Sequence, residues 1–318
     1  MRIFLTGGTG FIGSALAKQL LARQHTVYAL HRGDSFASNM IDGIEYVKGD
    51  LLEGAFLETS LRHIQPEIIV HVAAYTPVRF SFANPAAYAQ INYIGTMNLV
   101  EAARKVGGVS QIVYASTAEI YGPYRDDRKS SEETLPEPST PYGISKLAGE
   151  HYVKYSTYHD IRYTCLRPTN TFGRTFDLPD EARGYFIEKL IIGMLLSPHA
   201  TIPFDGSPES KRRFMYVSDH ISAYTTVISN PHAYDRTYNV APADAAMKLS
   251  EVVDVVKGVT DFRGDVSWMN DPRPVEPNFL DIDPFRFMHE LGWHSRISLK
   301  AGLEKAVEYW KKKLMNPP

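Results

Sequence analysis

The chain predicts an α/β fold: a doubly wound parallel sheet with helices on both faces, followed by a smaller C-terminal region. Three observations predict it. Short apolar runs without charge alternate with helical patterns through the first half. A glycine-rich loop, Thr6-Gly7-Gly8-Thr9-Gly10-Phe11-Ile12-Gly13, separates the first apolar run from the first helical pattern. Beyond about residue 170 the alternation breaks down, interrupted by Pro198, Pro203, Pro208, Pro272, Pro274 and Pro277.

Taken in order, Ile3-Phe4-Leu5 reads as a buried parallel strand. The glycine loop follows at once, and Ala15, Leu16, Leu20 and Leu21 then recur at helical spacing. Strand, glycine loop and helix stand in the order of a Rossmann-type dinucleotide fingerprint, and Gly8, Gly10 and Gly13 satisfy G-x-G-x-x-G. Glycines there let backbone N–H groups approach a pyrophosphate at a helix N-terminus. No lysine follows Gly13, which excludes a P-loop. Further strands are expected at 26–30, 44–47, 68–73, 112–115 and 163–166, and helices at 11–24, 86–106 and 142–159. Residues 122–141, rich in proline, serine and charge, read as a loop. Later helices are expected near 184–196, 217–229, 249–257 and 299–313. The division is residues 1–168 for the dinucleotide and 169–318 for a smaller C-terminal substrate-binding region, with an interleaved boundary.

Composition narrows the function. The 318 residues carry a formal net charge of −2, which argues against a nucleic-acid or anionic-membrane surface. Lys311-Lys312-Lys313 ends a helical pattern, where cations suit the helix dipole. Cys165 stands alone, so no intramolecular disulfide or cysteine metal cage is expected, in keeping with a reducing compartment. The histidines are scattered without H-E-x-x-H, so no metal site is expected, and there is no G-x-S-x-G elbow. No apolar run approaches the ~18 residues of a membrane span. The first residues read as strand and loop rather than as a signal peptide, and a cytoplasmic location is expected.

Tyr142 and Lys146 lie four residues apart, which on a helix places phenol and ammonium on one face. Tyrosine is a poor base near its ordinary pKa of ~10. A lysine charge beside it is expected to stabilise the phenolate, so the pair can exchange a proton with a hydroxyl while hydride moves to a nicotinamide. The same spacing at Tyr309 and Lys313 reads as a solvated helix.

These features together resemble the extended short-chain dehydrogenase/reductases, specifically the NAD-dependent epimerase/dehydratase group acting on nucleotide sugars. Thr6 to Gly13 resembles the T-G-G-x-G-F-I-G cofactor loop, assigning Gly7, Gly10, Phe11, Ile12 and Gly13 to the dinucleotide. Gly49-Asp50-Leu51 resembles the segment whose aspartate and next amide contact adenine. His71-Val72-Ala73-Ala74 resembles the H-x-A-A run under the nicotinamide and its ribose, with Ala73 and Ala74 at the cofactor. Asn92 with Gly95-Thr96 resembles N-x-x-G-T, and residues 116–122 resemble the S-[ST]-x-x-x-Y-G active-site strand. Arg167-Pro168-Thr169-Asn170 with Gly173 resembles R-P-x-N-x-x-G, so Asn170, with Arg212 and Arg273, is implied to bind the substrate diphosphate.

The resemblance implies roles. Tyr142 deprotonates the sugar C4 hydroxyl, Thr117 hydrogen-bonds the same oxygen, and Lys146 holds the cofactor ribose and tunes Tyr142. Glu119, two residues beyond Thr117 and expected to share its strand face, is then the base for the C5 proton. That leans to an NDP-hexose 4,6-dehydratase, although Ala118 stands where some dehydratases carry an aspartate. An NDP-sugar 4-epimerase and an NAD(P)H-dependent carbonyl reductase are the alternatives. Asn170, Arg212 and Arg273 argue against the reductase, because a substrate without phosphates needs no such cluster. After strand 26–30, His31 and Arg32 stand where NAD-specific members carry an acid. Arg32 can pair with a 2′-phosphate, so NADP is favoured with NAD possible. Helices 86–106 and 142–159 resemble those of a four-helix interface, implying a homodimer.

Overall fold

The computed structural model describes residues 1–33, 39–122, 129–173, 185–269 and 279–315. Its centre is a seven-stranded sheet. Strands β1 (Arg2–Thr6), β2 (Thr26–His31), β3 (Glu45–Lys48), β4 (Ile68–His71), β5 (Gln111–Ala115) and β6 (Arg162–Pro168) run parallel in the order 6-5-4-1-2-3. The strand order reverses between β1 and β4, and such a switch point opens a crevice at the strands' carboxyl ends. β1 and β4 are apolar because both faces are covered: Ile3, Phe4, Leu5, Ile69 and Val70 are fully buried, each contributing roughly 1.5–3 kcal/mol of hydrophobic stabilisation.

Helices cover both faces. They are α1 (Phe11–Ala22), α2 (Gly54–Ile64), α3 (Val78–Ala83), α4 (Pro85–Ala89), α5 (Gly95–Val106) and α6 (Pro141–Tyr155). In α2, Leu57, Leu61 and Ile64 form the buried stripe, and Gln65 ends the helix in a left-handed conformation at φ 48°. α6 starts where Thr140 caps it, its hydroxyl accepting from the Gly143 N–H at 3.0 Å, with Pro141 in the first turn.

The C-terminal half adds β7 (Asn170–Phe172), α7 (Phe186–Leu196), β8 (Thr201–Asp205), β9 (Lys211–Arg212), β10 (Phe214–Tyr216), α8 (Val217–Val227) and β11 (Arg236–Val240). β12 (Met247–Lys248), α9 (Leu249–Thr260), β13 (Asp265–Met269), β14 (Phe279–Leu280), α10 (Phe285–Leu291) and α11 (Leu299–Met315) follow. β11 pairs parallel with β6 as the seventh strand, and α8 packs on α1, so this half also completes the central sheet. A separate apolar core joins α7, α9 and α11 around Leu190, Val252 and Leu303.

Several expected elements differ. The 86–106 helix is interrupted by a π-helical segment, Gln90–Ile94. The extra residue turns Asn92 inward, where its amide pairs with both backbone groups of Tyr75, at 2.8 and 3.0 Å, and with Ser145 Oγ at 3.0 Å. Helix 142–159 becomes α6 and a 3₁₀ turn, Ser156–His159, closed by Asp160 at φ 59°. The fourth strand stops at His71, so Val72 and Ala73 leave the sheet toward the crevice.

Candidate active site

The carboxyl ends of β1, β2, β4, β5 and β6 open into one cleft of about 1130 Å³. It brings together every expected site residue that the structure describes: Gly7, Gly10, Phe11, Ile12, Gly13, His31, Arg32, Asp50, Leu51, Ala73, Ala74, Thr117, Glu119, Tyr142, Lys146, Asn170 and Arg212. Arg273 lies outside the described residues, as do Asp34 and Ser35, which follow Arg32 in the sequence and could serve the ribose and add a hydroxyl there.

The loop after β1 has no room for a side chain at Gly8 or Gly13. A Cβ on Gly13 would lie 1.9 Å from the Gly7 carbonyl oxygen, and one on Gly8 would lie 2.5 Å from the Ala29 Cβ. Gly7 sits at φ 72°, a conformation that favours glycine. Gly10 caps α1 without a side chain, so the first turn presents backbone N–H groups to the cleft. These residues fit a dinucleotide pyrophosphate. At the end of β2, Arg32 Nη1 donates to the Tyr75 hydroxyl at 2.6 Å, and its guanidinium lies 5.3 Å from that ring's centroid. Asp50 Oδ1 accepts from the Leu52 N–H at 2.9 Å. Buried Asn39, which sequence reasoning missed, braces the loop by donating to the Thr9 carbonyl at 2.9 Å.

The acid–base groups meet at the end of β5. Thr117 is extended at φ −161° and caps a 3₁₀ turn, Ala118–Tyr121, its hydroxyl accepting from the Glu119 N–H at 3.2 Å. The same side chain stands beside the Tyr142 phenol and favours its ionisation. Glu119 therefore rides on a turn and not on a strand face, which corrects the basis of the expectation. The turn still presents the carboxylate to the cleft, where its charge opposes ionisation of Tyr142.

Burial dominates Tyr142 and Lys146 alike. It pushes the Tyr142 phenol up, with the Thr117 hydroxyl opposing the shift. It lowers Lys146 from 10.5 to about 7, partly offset by Cys165 and Glu150. Lys146 Nζ lies 4.2 Å from the Tyr114 ring centroid, where the π face favours its charged form. The dry pocket depletes the lysine charge that was expected to act on the phenol.

Two buried networks hold this geometry. His71 links β4 to β1 and α5, its Nδ1 lying 2.7 Å from Thr6 Oγ1 and its Nε2 2.8 Å from Thr96 Oγ1. Burial, with Lys146 nearby, lowers its pKa to about 3, so it stays neutral. Glu150, one turn after Lys146, was not read as functional from sequence. Its carboxylate accepts from Ser116 Oγ at 2.5 Å, Lys154 Nζ at 2.7 Å, and Arg167 Nε and Nη2 at 3.1 and 2.6 Å. Arg167 Nη1 donates to the Tyr121 hydroxyl at 2.7 Å. The network ties β5, α6 and β6 together beneath Thr117 and Lys146.

On the far wall, Asn170 begins β7 and Arg212 ends β9, its Nη1 donating to the Lys211 carbonyl at 2.9 Å. His220 and Tyr224 of α8 also reach the cleft, and no sequence signal marked them. Tyr309 and Lys313 lie on α11, with Lys313 Nζ 6.0 Å from the Tyr309 ring centroid. No helix among the described residues is long and apolar enough to cross a membrane.

Residues 3–241 match the NAD dependent epimerase/dehydratase family. A putative UDP-glucose 4-epimerase of Methanocaldococcus jannaschii is 30% identical over 313 residues, covering 97% of this chain and 98% of the relative. A dTDP-glucose 4,6-dehydratase of Salmonella typhimurium is 27% identical over 346 residues, covering 98% of this chain and 92% of the relative. The crystal structure of a Thermus thermophilus UDP-glucose 4-epimerase in complex with NAD matches with a TM-score of 0.86 at 27% identity, covering 98% of this chain and 99% of that one. The chain belongs to the NAD-dependent epimerase/dehydratase family, and it is an enzyme. Epimerase and dehydratase relatives stand at similar identity. Neither the family's NAD dependence nor the NAD complex supports the NADP preference read from Arg32.

Proposed function

We propose that this enzyme acts on a nucleotide-diphosphate sugar and oxidises its C4 to a transient 4-ketone with a bound nicotinamide cofactor. The observation that carries this is the placing of Thr117, Tyr142, Lys146 and Glu119 in the same cleft as the glycine loop. Tyr142 takes the proton of the C4 hydroxyl, and Thr117 orients that oxygen. Lys146 holds the cofactor ribose, and the positive charge of an oxidised nicotinamide bound there would favour the Tyr142 phenolate. A nicotinamide bound there would supply the acceptor for the C4 hydride and the donor for its return. Residues 169–318 supply the diphosphate site through Asn170 and Arg212, whose presence in the cleft weighs against a simple carbonyl reductase. The family and the NAD-bound relative support NAD as the cofactor; Arg32, which donates to Tyr75, stands where it could instead pair with a 2′-phosphate.

The fate of the 4-ketone rests on Glu119. A carboxylate beside Thr117 can remove the C5 proton, which supports a 4,6-dehydratase. A specific observation favours the 4-epimerase as a second reading. Ala118 is buried and supplies no acid for departing water. A homodimer is supported by an aromatic ladder that runs from the π segment before α5 across α6 to the 3₁₀ turn after it. Tyr93, Tyr152, Tyr155 and Tyr158 follow one another at centroid distances of 6.3, 5.5 and 5.8 Å, and Tyr158 is 82% exposed. A cytoplasmic location is supported by the lone cysteine alone. The direct test is Tyr142→Phe. It should retain the cofactor and lose turnover of the nucleotide sugar by ~10² or more, whereas wild-type turnover in this variant would overturn the assignment.

A further inference from the structure

Thr76 and Tyr185 meet at the cleft from opposite halves of the chain. Thr76 lies beyond the end of β4, where the chain has left the sheet, and Tyr185 stands at the N-cap of α7. Thr76 Oγ1 lies 2.7 Å from the Tyr185 hydroxyl, a hydrogen bond between residues 109 apart in sequence. Both line the cleft that holds Thr117, Glu119 and Tyr142. Thr76 is exposed and Tyr185 half-buried, so a molecule in the cleft can reach them. The segment that carries Thr76 is pinned on both sides. Asn92 holds both backbone groups of Tyr75, and the Tyr88 hydroxyl donates to the Pro77 carbonyl at 2.6 Å. The Tyr88 ring also stands edge-on to the Tyr142 ring, at 6.3 Å and 88°. Tyr185 is therefore held by a segment that is itself packed on Tyr142.

Electrostatics sets Tyr185 at the same centre. Burial is the main cause of the raised Tyr142 pKa, and Glu119 and then Tyr185 add to it. Three acid–base side chains, Tyr142, Glu119 and Tyr185, thus share one region of the cleft. The reading above employs two of them, Tyr142 at the C4 hydroxyl and Glu119 at the C5 hydrogen. Elimination of water across C5–C6 needs a third group, a proton donor for the oxygen leaving C6. Ala118 has no proton to give. Tyr88 gives its proton to the Pro77 carbonyl, and Tyr75 is held by Arg32. A threonine hydroxyl donates as well as accepts, so Thr76 leaves the Tyr185 proton to a substrate oxygen and can steady the phenolate that forms. A phenol is a stronger acid than water, so its proton passes downhill to a departing hydroxide.

We propose that Tyr185 is the catalytic acid that protonates the C6 oxygen as it leaves, with Thr76 as its positioning residue. The inference rests on the 4,6-dehydratase reading of Glu119. Glu119 takes the C5 proton, and the electron pair of that bond becomes the C5–C6 double bond. The C6–O bond breaks, the Tyr185 proton goes to its oxygen, and water departs. C6 then receives the hydride that C4 gave up, and Glu119 returns its proton to C5. The proton that Tyr142 took from the C4 hydroxyl balances the one that Tyr185 released, and solvent equalises them. The sugar loses one water in total, and no outside oxidant is consumed.

The test uses the full chain with NAD in heavy water, followed by proton NMR. The probes are UDP-, GDP-, dTDP- and CDP-glucose, with the 6-deoxy-6-fluoro analogue of the one that the wild type converts. Tyr185→Phe should bind NAD as the wild type does. It should form the 4-keto-6-deoxy sugar ~10²-fold or more slowly, the scale of a lost general acid. Fluoride leaves without a proton, so on the fluoro analogue the variant should stay within about tenfold of wild type, the scale of one hydrogen bond. Thr76→Val should slow loss of water about three- to tenfold on the same scale, with a smaller effect on loss of fluoride. Equal slowing on both leaving groups would reduce Tyr185 to a structural role and overturn the proposal. Wild-type dehydration by Tyr185→Phe would overturn the proposal alone and leave the dehydratase reading standing. A wild type that only inverts C4 would overturn the dehydratase reading, and the proposal with it. If Tyr185→Phe does not fold, Thr76→Val at its exposed position decides: equal slowing on the two leaving groups, or none on either, sinks the proposal.

Discussion

Arg167→Met should be among the most destabilising single changes near the cleft. It removes two of the four hydrogen bonds that the Glu150 carboxylate accepts, at 3.1 and 2.6 Å, and leaves those from Ser116 and Lys154. Glu150 is fully buried and Arg167 is 4% exposed, so water does not replace the lost pairing. Breaking a buried pair typically costs about 3–5 kcal/mol, because a charge is left behind uncompensated. The surviving Lys154 contact is partly solvated at 27% exposure, so the lower end, about 3 kcal/mol, is expected. Burial alone raises the Glu150 pKa, but Arg167 and Lys154 more than reverse this and hold it at about 2. The folded value lies below the ordinary 4.5, so the carboxylate's stabilisation is complete above pH 4.5 and is lost as pH falls toward 2. Arg167→Met should shorten that acid-sensitive window. Adding Glu150→Gln removes the stranded charge and should recover at least half of the loss. Urea unfolding of the single and double variants, followed by circular dichroism, gives the comparison. A loss below about 1 kcal/mol for Arg167→Met, or a double variant no better than the single, would refute the reasoning that the pair is desolvated and mutually required.

The remaining expectations concern charge. The folded pKa of Lys146, about 7, lies below its ordinary 10.5, so between these values the unfolded chain holds more protons. The ligand-free enzyme should therefore gain stability as pH rises from 7 to 10, and Lys146→Met should flatten that rise in urea midpoints; an unchanged slope would contradict the assignment. Arg32→Ala should change NAD affinity less than threefold, because its side chain is committed to Tyr75. It should weaken residual NADP binding by about 1.5–3 kcal/mol, the scale of a hydrogen bond to a charged group. A wild-type preference for NADP in titration would overturn the NAD reading.

What was legible in the sequence was what backbone geometry constrains. Gly13 has no alternative when a Cβ would lie 1.9 Å from the Gly7 oxygen, so the loop announced itself by its glycines. The fully buried strands β1 and β4 read as apolar runs because both faces are covered. β11 did not, since Arg236, Thr237 and Asn239 break the apolar run of a strand that pairs with β6 at the sheet's edge. α2 escaped notice although Leu57, Leu61 and Ile64 have helical spacing. The π segment at 90–94 depends on Asn92 finding Tyr75 and Ser145, contacts 17 and 53 residues away in the chain. Glu119 reached the cleft by a 3₁₀ turn that strand alternation does not foresee. The fall in the Lys146 pKa follows from burial, which no spacing rule reports. His220 and Tyr224 entered the site because α8 packs on α1, a tertiary event with no local signature.

The central claim is a sugar 4-ketone made in the Tyr142 cleft, and proton NMR in heavy water tests it most directly. Wild-type enzyme with NAD is incubated with UDP-, GDP-, dTDP- and CDP-sugars. The account predicts conversion of one of them, with deuterium entering at C5 in the wild type and not in Glu119→Gln if the product is a 4-keto-6-deoxy sugar. Clean inversion at C4 without exchange at C5 keeps the 4-ketone and selects the epimerase. A panel left unchanged by an enzyme that binds NAD and reduces simple ketones would contradict the claim.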